Sequence, residues 1–378
     1  MIYLDNAATT RMKPEVRAAM EPFLDRDYGN ASSLHAAGRR ARRALEDARE
    51  TVAACLGADP KEIVFTSGAT ESNALSILGT AEALRSRGDH LVTSEIEHPS
   101  VLEAVARLEG QGWRVTRVPV DAEGLVDPVR VATAITPRTV FLSIMSLNNE
   151  VGSMQPMAEL RKTAKGLVFH TDAAQAVGKI PVQVGNVDLL TFSAHKMHGP
   201  KGVGGLWIRK GTPLTPQLRG GAQEFETRAG TENVAGIVGL ATAMKLACAD
   251  RAADAGRMER LRERLREGLE GLGGARVSGP ETRRSPHILN IAFEGVDGEA
   301  AILSMDAAGV CVSSGSACAS LSRQPSHVLK AMGVPDDVAR GSLRFSLSSL
   351  TTSEDIDAAL AAVPAVIRRL RKISTVER

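Results

Sequence analysis

Short apolar runs alternate with helix-length amphipathic segments up to about residue 249. A short apolar run bounded by turn residues is typical of a strand buried on both faces, and strands that alternate with helices form mostly parallel sheets. The pattern therefore predicts an α/β fold with a mostly parallel, seven-stranded sheet. The predicted strands are residues 63–65, 90–93, 114–118, 139–145, 167–171, 188–192 and 203–208.

The pattern changes after Ala249. A long charged segment predicts a helix over residues 250–272. After it, the pattern predicts strands at 288–293 and 342–347 and helices that begin at Gly298 and at Thr352. This order is typical of a separate, smaller α+β unit. We therefore predict a large domain of residues 15–249 and a small domain of residues 1–14 and 250–378.

Composition excludes several classes of function. The 378 residues are 43% hydrophobic and 24% charged, with a net charge of +2, which is ordinary for a globular protein and predicts neither a nucleic-acid partner nor a membrane partner. The locally basic residues 39–43 fit the solvated face of a helix, and an aromatic content of 3% argues against base-stacking surfaces.

Cysteine usage and the N-terminus bear on the compartment. The four cysteines form no CxxC pair and no metal-ligand spacing, so we expect a reducing compartment and no metal site. Asp5 stands where a signal peptide would be basic, and no apolar run reaches the length of a membrane span. These features predict a cytoplasmic protein.

The segment from Thr191 to Gly205 carries the clearest candidate chemistry. Lys196 follows Ser193-Ala-His195 directly and enters a glycine-rich turn. A lysine in that position can condense with an aldehyde cofactor, while the Ser193 hydroxyl and the His195 imidazole are close enough in sequence to contact its phosphate. The segment thus predicts a pyridoxal 5′-phosphate site. The alternative is a surface lysine beside a glycine turn.

The preceding apolar run supplies a matching acid. Residues 166–172 end in Asp172, as expected for a buried parallel strand whose carboxyl end reaches a site. A buried carboxylate needs a cationic partner, and a protonated pyridine nitrogen is one. Gln175 could then donate to the cofactor's phenolic oxygen. The alternative for Asp172 is a helix N-cap.

A phosphate site is predicted where residues 63–65 lead into the next helix. The turn Thr66-Ser67-Gly68-Ala-Thr70 follows that strand, and amides at a helix N-terminus together with the Thr70 hydroxyl suit an anion. A simple capping box, with Thr66 or Ser67 as the cap, is the competing interpretation.

One cysteine differs from the other three in its surroundings. Cys318 lies among Ser and Gly residues without apolar periodicity, so we expect it on an exposed loop as a nucleophile. Cys55, Cys248 and Cys311 lie in helix-like or strand-like segments and are expected to be small buried hydrophobes.

The chain resembles the NifS/IscS-type cysteine desulfurases, a class-V aminotransferase branch of the fold-type I pyridoxal phosphate enzymes, from Tyr3 to about Thr352. Many motifs carry the resemblance in order and spacing. They are Tyr3-Leu-Asp-Asn-Ala-Ala-Thr-Thr10, Thr66-Ser-Gly-Ala-Thr-Glu71, Glu95-Ile-Glu-His98, Asn148-Asn-Glu150-Val-Gly152, His170-Thr-Asp172-Ala-Ala-Gln175, Ser193-Ala-His-Lys196, Arg228-Ala-Gly-Thr-Glu-Asn233, Ser313-Ser-Gly-Ser-Ala-Cys318 and Arg344-Phe-Ser-Leu347.

The resemblance implies that the enzyme converts L-cysteine to L-alanine and takes up the sulfur. It implies that Lys196 is the Schiff-base lysine, that Cys318 in the small domain forms a persulfide, and that His98 stacks on the cofactor ring and assists proton transfer. The alternative for His98, which precedes Pro99, is a helix-start residue. A homodimer is implied as well, together with delivery of sulfur to an iron–sulfur scaffold or another acceptor protein.

The resemblance also assigns the binding residues, all but one of them to the large domain. Asp172 would pair with the pyridine nitrogen and Gln175 would contact the phenolic oxygen. Asn149 and Arg344 would hold the substrate carboxylate, Asn149 contacting the cofactor too; the alternative for Arg344 is an ion pair between the domains. The phosphate would be held by Ala69, Thr70, Ser193 and His195, with Thr231 reaching it from the other subunit.

Three departures from the family pattern concern the backbone alone. Ala31 stands where Pro is common, and Ala222 and Ser348 stand where Gly is usual, which matters only if those positions require positive φ.

Other activities also fit parts of the pattern. They are a selenocysteine lyase or another pyridoxal phosphate C–S lyase, an aminotransferase, a non-catalytic assembly protein of the same fold, and a redox-sensing thiol protein. The sulfur pathway, whether cluster assembly, tRNA thiolation or nitrogenase maturation, stays open.

Overall fold

A computed structural model describes residues 1–314 and 325–373. It places a strand in each of the seven predicted runs. The strands are β1 (Ile2–Tyr3), β2 (Ile63–Thr66), β3 (His90–Ser94), β4 (Arg114–Val118), β5 (Thr139–Ser143), β6 (Val168–Asp172), β7 (Leu189–Ser193), β8 (Gly204–Ile208), β9 (Ala275–Ser278), β10 (Ile288–Phe293), β11 (Val310–Cys311) and β12 (Ser342–Ser346).

The helices follow the same alternation. They are α1 (Pro14–Leu24), α2 (Ala36–Leu56), α3 (Ala69–Leu84), α4 (Pro99–Gly110), α5 (Pro128–Ala134), α6 (Met157–Thr163), α7 (Val234–Ala249), α8 (Arg251–Glu270), α9 (Gly298–Ala307), α10 (His327–Ala331), α11 (Asp336–Arg340) and α12 (Ser353–Ile373). Local chemistry sets several ends: Pro99 and Pro128 open their helices, and Gly57 ends α2 in the left-handed conformation with a φ of 68°.

The large sheet has the strand order β2-β8-β7-β6-β5-β3-β4. Strands β7, β6, β5, β3 and β4 are parallel, while β8 runs antiparallel to both of its neighbours. The predicted mostly parallel, seven-stranded sheet is therefore confirmed. In such a sheet the loops after the parallel strands meet at one edge, which is where ligands bind in open α/β sheets.

A second hydrophobic core lies apart from the sheet. The antiparallel strands β12-β10-β9 pack with α8 and α12 around side chains such as Leu289, Phe293 and Phe345. Leu4 joins this core, because β1 pairs with β11 and the chain then crosses to β12. A separate core of this kind is what a second domain requires. The boundaries at residues 14 and 249 stay a prediction.

Cysteine burial corrects one expectation. Cys55, Cys248 and Cys311 were expected to be buried, but each is only partly buried. Cys55 and Cys248 lie near the ends of α2 and α7, which pack against each other. The helical placement of Cys55 and Cys248 was predicted correctly, but sequence periodicity does not reveal how completely a helix end is covered by its neighbours. Within residues 1–314 and 325–373, no helix is long and apolar enough to cross a membrane.

Candidate active site

A cavity of about 560 Å³ opens at the carboxyl ends of the parallel strands. Of the residues predicted for the site that the structure describes, all except Thr231 line it. These residues are Ala69, Thr70, His98, Asn149, Asp172, Gln175, Ser193, His195, Lys196 and Arg344. The fold explains the convergence, since Asp172 and Ser193 are the last residues of the neighbouring strands β6 and β7.

Lys196 lies in a single 3₁₀ turn that follows β7 directly. Its Nζ donates to the carbonyl oxygens of Ala7 and Ala8, at 2.6 and 2.8 Å. The hydroxyl of Thr10 donates to the carbonyl of His195 at 2.9 Å, so the N-terminal segment forms one wall of the cavity. The alternative of an exposed surface lysine is wrong, because the amine is enclosed by chain from the other end of the sequence.

Asp172 is buried and held by two donors. Its Oδ2 accepts from Nδ2 of Asn73 at 2.8 Å, and its Oδ1 accepts from the backbone N–H of Ala174 at 2.9 Å. The second bond is a local turn contact, but no helix begins here, so the helix N-cap alternative is wrong. A carboxylate at the cavity wall with fixed orientation suits a cationic ring nitrogen.

Gln175 lies between the N-terminal segment and a buried lysine. Its Nε2 donates to the carbonyl of Ala7 at 2.9 Å, and its Oε1 accepts from Nζ of Lys179 at 3.4 Å. These contacts fix which end of the amide carries the donors. Since Nε2 has a second N–H, it can still donate to a ligand oxygen.

Helix α3 begins at the cavity with a cap that leaves its amides available. The N-cap is Gly68, with a φ of 154° and no side-chain cap hydrogen bond. Thr66 instead hydrogen-bonds Ser72 through their hydroxyls at 2.8 Å, so the capping-box alternative is wrong. An N-terminus without a side-chain cap, beside Ala69, Thr70 and Ser193, offers the amide groups that bind phosphate.

His195 is neutral in this environment. Its Nδ1 lies 3.2 Å from Oγ1 of Thr9. Burial and the charge of Lys196 lower the pKa of His195 to about 4, with smaller contributions from Lys179 and Lys201. A neutral imidazole can contact an anion through its N–H without adding a second buried cation beside Lys196.

His98 is both a cavity residue and the N-cap of α4. Its Nδ1 accepts from the backbone N–H of Ser100 at 3.1 Å, so the helix-start interpretation and the place in the site both hold. Burial lowers the pKa of His98, and although Asp172 opposes this effect, Lys196 adds to it. The ring therefore lies neutral at the cavity wall.

Arg344 lies in β12 and is 1% exposed. Its Nη2 lies 2.9 Å from Oδ1 of Asp5, and its Nη1 donates to the carbonyl of Asn149 at 3.0 Å. Arg344 therefore forms an ion pair, but its acid lies in the N-terminal segment predicted for the same domain, so it is not the pair between domains considered from sequence. A guanidinium held at the cavity wall is suited to a carboxylate ligand.

Thr231 differs from the other predicted residues of the site that the structure describes. Thr231 is exposed and does not line the cavity of its own chain. Arg228, three residues earlier, forms an ion pair with Glu71 of the cavity wall at 2.7 Å. Cys318 lies outside the described residues.

Several residues of the site were missed from sequence. Asn73 and Ser100 link Asp172 to His98, Lys179 contacts Gln175, and Glu150 lines the cavity. One signal existed for Asn73, which lies four residues after Ala69 and so on the same face of α3.

Neither Ala222 nor Ser348 is among the described non-glycine residues with positive φ, so these departures from the family pattern put no strain on the backbone.

Comparison with known proteins decides the family. The aminotransferase class-V family matches residues 2–359. The chain belongs to this family. "Cysteine desulfurase IscS" of Dictyoglomus turgidum is 48% identical over 378 residues, covering 99% of this chain and 96% of the relative. The chain is therefore a class-V aminotransferase of the cysteine desulfurase branch, as its motifs indicated.

Solved structures agree with this membership. A structure titled "NIFS-LIKE PROTEIN" is 39% identical, with a TM-score of 0.92, and the match covers 97% of this chain and 99% of that one. A structure titled "SspA in complex with cysteine" is 34% identical, with a TM-score of 0.82 and coverage of 93% and 100%. The expected fold-type I architecture is confirmed, and enzymes of this family depend on pyridoxal 5′-phosphate.

Proposed function

We propose that this chain is a pyridoxal 5′-phosphate-dependent cysteine desulfurase that converts L-cysteine to L-alanine and receives the sulfur as a persulfide on Cys318. The observation that carries the proposal is the convergence of Lys196, Asp172, His98 and Arg344 on one cavity. An amine, an acid, a neutral imidazole and a guanidinium in that cavity match the needs of an amino acid bound through a cofactor.

The residues at the cavity fit pyridoxal 5′-phosphate. The N-terminus of α3, which lacks a side-chain cap bond, would hold the phosphate with Thr70, Ser193 and His195, and Asp172 would hold the ring nitrogen. Once bound, the cofactor supplies a sink for the electron pair left when the substrate α-carbon loses its proton. The cavity volume of about 560 Å³ lies within the range of cofactor sites.

The chain's own groups supply the remaining steps. Arg344 would bind the substrate carboxylate, and the amine of Lys196 would take the α-proton. The Cys318 thiolate would then form an S–S bond to the substrate sulfur while the C–S bond breaks. The electron pair of that bond stays with the β-carbon, which takes up a proton as alanine forms. Both sulfurs remain on the enzyme as a persulfide.

The proposal includes partners and a compartment. We propose a homodimer, in which Thr231 would contact the phosphate of the neighbouring cavity, and an acceptor protein such as an iron–sulfur scaffold. The homodimer is supported by Thr231, which is exposed and does not line the cavity of its own chain. The acceptor protein is supported by the IscS name of relatives. The cytoplasm is proposed because the cysteine pattern suits a reducing compartment.

A single assay tests the activity. The purified holoenzyme, given L-cysteine and an excess of thiol reductant, should release alanine and sulfide in equal amounts. Cys318→Ser should release neither, whereas the matched variant Cys311→Ser should behave as wild type. A yellow holoenzyme that consumes cysteine and releases pyruvate, or forms alanine without Cys318, would show a different activity.

A further inference from the structure

A hydrogen-bonded chain joins His98 to Asp172 through two residues on different helices. Nδ1 of His98 lies 2.8 Å from Oγ of Ser100, which in turn accepts from Nδ2 of Asn73 at 2.9 Å. The same Nδ2 donates to Oδ2 of Asp172 at 2.8 Å. Ser100 lies at the start of α4 and Asn73 lies on α3, so the chain bridges both helices that border the cavity.

The contacts of Nδ1 decide which ring nitrogen carries the proton. The backbone N–H of Ser100 donates to Nδ1 of His98 at 3.1 Å, and a backbone N–H can only donate. Nδ1 must therefore accept, and in a neutral ring the proton then lies on Nε2. A proton on Nδ1 would face that N–H and lose the bond.

Asn73 fixes the direction of the Ser100 hydroxyl. Nδ2 of Asn73 carries two hydrogens, and it donates one to Oγ of Ser100 and the other to Oδ2 of Asp172. The carboxylate of Asp172 has no hydrogen to donate, so Nδ2 must be the donor in that bond. Because Oγ of Ser100 already accepts from Asn73, its own hydrogen is free to point at Nδ1 of His98. Asn73 is fully buried, and its amide cannot turn over without placing its oxygen against the carboxylate.

We propose that Ser100 and Asn73 are positioning residues that lock His98 in the neutral form with its proton on Nε2, so that His98 serves as a hydrogen-bond donor to the bound ligand and leaves proton removal to Lys196. The inference rests on the proposed function and specifies the role of His98 within it.

The electrostatic surroundings agree with a neutral ring. Burial lowers the pKa of His98, and Lys196 and His327 act in the same direction, while Asp172 opposes them. A neutral imidazole that donates from one nitrogen can stabilise negative charge on a ligand. It cannot accept a proton at the nitrogen that already holds one.

The test measures the ring of His98 directly. Holoenzyme labelled with ¹⁵N-histidine is examined by solid-state NMR at several pH values, with His98 assigned through His98→Gln. Wild type should show a protonated Nε2 and an unprotonated Nδ1 at neutral pH. Ser100→Ala removes one donor to Nδ1, so the protonation equilibrium of His98 should shift about fivefold toward the cation, and Asn73→Ala should shift it in the same direction.

The matched control is Ser100→Thr, which keeps the hydroxyl and should retain the wild-type spectrum. For cysteine turnover, Ser100→Ala should lower kcat about fivefold with little change in KM, and Ser100→Thr should restore it. A wild-type ring protonated on Nδ1, or a Ser100→Ala spectrum equal to that of wild type, would overturn the proposal. Absence of desulfuration in a wild-type protein with the expected spectrum would instead overturn the proposed function alone.

Discussion

Nη2 of Arg344 lies 2.9 Å from Oδ1 of Asp5, which ties the small antiparallel sheet to the N-terminal segment. Two residues further along that segment, the carbonyl of Ala7 accepts from Nζ of Lys196. The group proposed to bind the substrate carboxylate and the group proposed to remove its α-proton are therefore positioned by the same short stretch of chain.

Arg344→Lys tests the carboxylate contact. Lysine keeps the charge but cannot bind a carboxylate through two parallel N–H groups, so we expect KM for cysteine to rise at least about tenfold with a smaller change in kcat. Steady-state kinetics measure both. The exposed Arg340→Lys serves as the control and should behave as wild type. An unchanged KM in Arg344→Lys would remove Arg344 from the substrate site.

Lys196→Ala tests the cofactor linkage. Loss of the amine should abolish the yellow colour of the purified holoenzyme and all turnover. The fold should be kept, because water entering the cavity can donate to the carbonyls of Ala7 and Ala8 in place of Nζ.

 The matched control is Lys201→Ala, because Lys201 also lines the cavity but is exposed. Absorbance spectra and circular dichroism measure the two effects. Normal turnover by Lys196→Ala would show that another amine performs the chemistry.

Cys318→Ser separates the two halves of the reaction. Binding of cysteine and removal of its α-proton need Lys196, Asp172 and Arg344 but not the thiol, so the variant should bind the cofactor and change its absorbance when cysteine is added. It should form no alanine and hold no extra sulfur, because a serine hydroxyl is far less acidic than a thiol and forms no persulfide.

The location of the sulfur is found by alkylation and peptide mass analysis after one turnover of wild type. Extra sulfur is expected on Cys318. Cys248 is the sharpest control, because the neighbouring Cys55 lowers the pKa of the Cys248 thiol and so favours the thiolate. Sulfur on Cys248, Cys55 or Cys311 in place of Cys318 would overturn the assignment.

Thr231→Ala tests the proposed contact between subunits. The variant should keep its fold and bind the cofactor about fivefold more weakly, as expected for one lost hydrogen bond. Dimers that combine a Thr231→Ala subunit with a Lys196→Ala subunit should regain one tight site, since each cavity would use Thr231 of its neighbour. Thr227→Ala is the control. Sedimentation of a fully active monomer would exclude this arrangement.

Lys179 predicts a pH dependence of stability. Burial, together with the charge of Lys196, lowers the pKa of Lys179 from 10.5 to about 7. Between these two pH values the unfolded chain binds the extra proton, so the free energy of unfolding should rise with pH by about 1 kcal/mol per unit. Below about pH 7 Lys179 is protonated in both the folded and the unfolded chain, so it no longer makes the free energy of unfolding depend on pH.

Urea unfolding of the holoenzyme at pH 7 and 9.5 measures the difference. Lys179→Met should flatten the dependence, because the variant has no amine to deprotonate at that position. The exposed Lys210→Met should keep the wild-type dependence. Equal pH dependence in both variants would show that Lys179 keeps its ordinary pKa in the folded protein.

The seven runs predicted as strands each form a strand of the large sheet, and the charged segment after Ala249 forms α8. These elements were predictable because burial on both faces demands continuous apolar runs, and a solvated helix demands charge. Shorter strands were missed. The strand β9 spans Ala275–Ser278 without a distinctive pattern, since it lies at the edge of its sheet and is only partly buried.

The sequence by itself determined which reactive groups the chain carries, because Lys196, Asp172, His98 and Arg344 stand in motifs whose order and spacing indicate one chemistry. Only the tertiary structure decided how those groups are held. The carbonyls of Ala7 and Ala8 meet Lys196 from 188 and more residues away, and Asn73 joins Asp172 across 99 residues. Such contacts depend on the packing of distant segments around the sheet, which no local pattern of residues records.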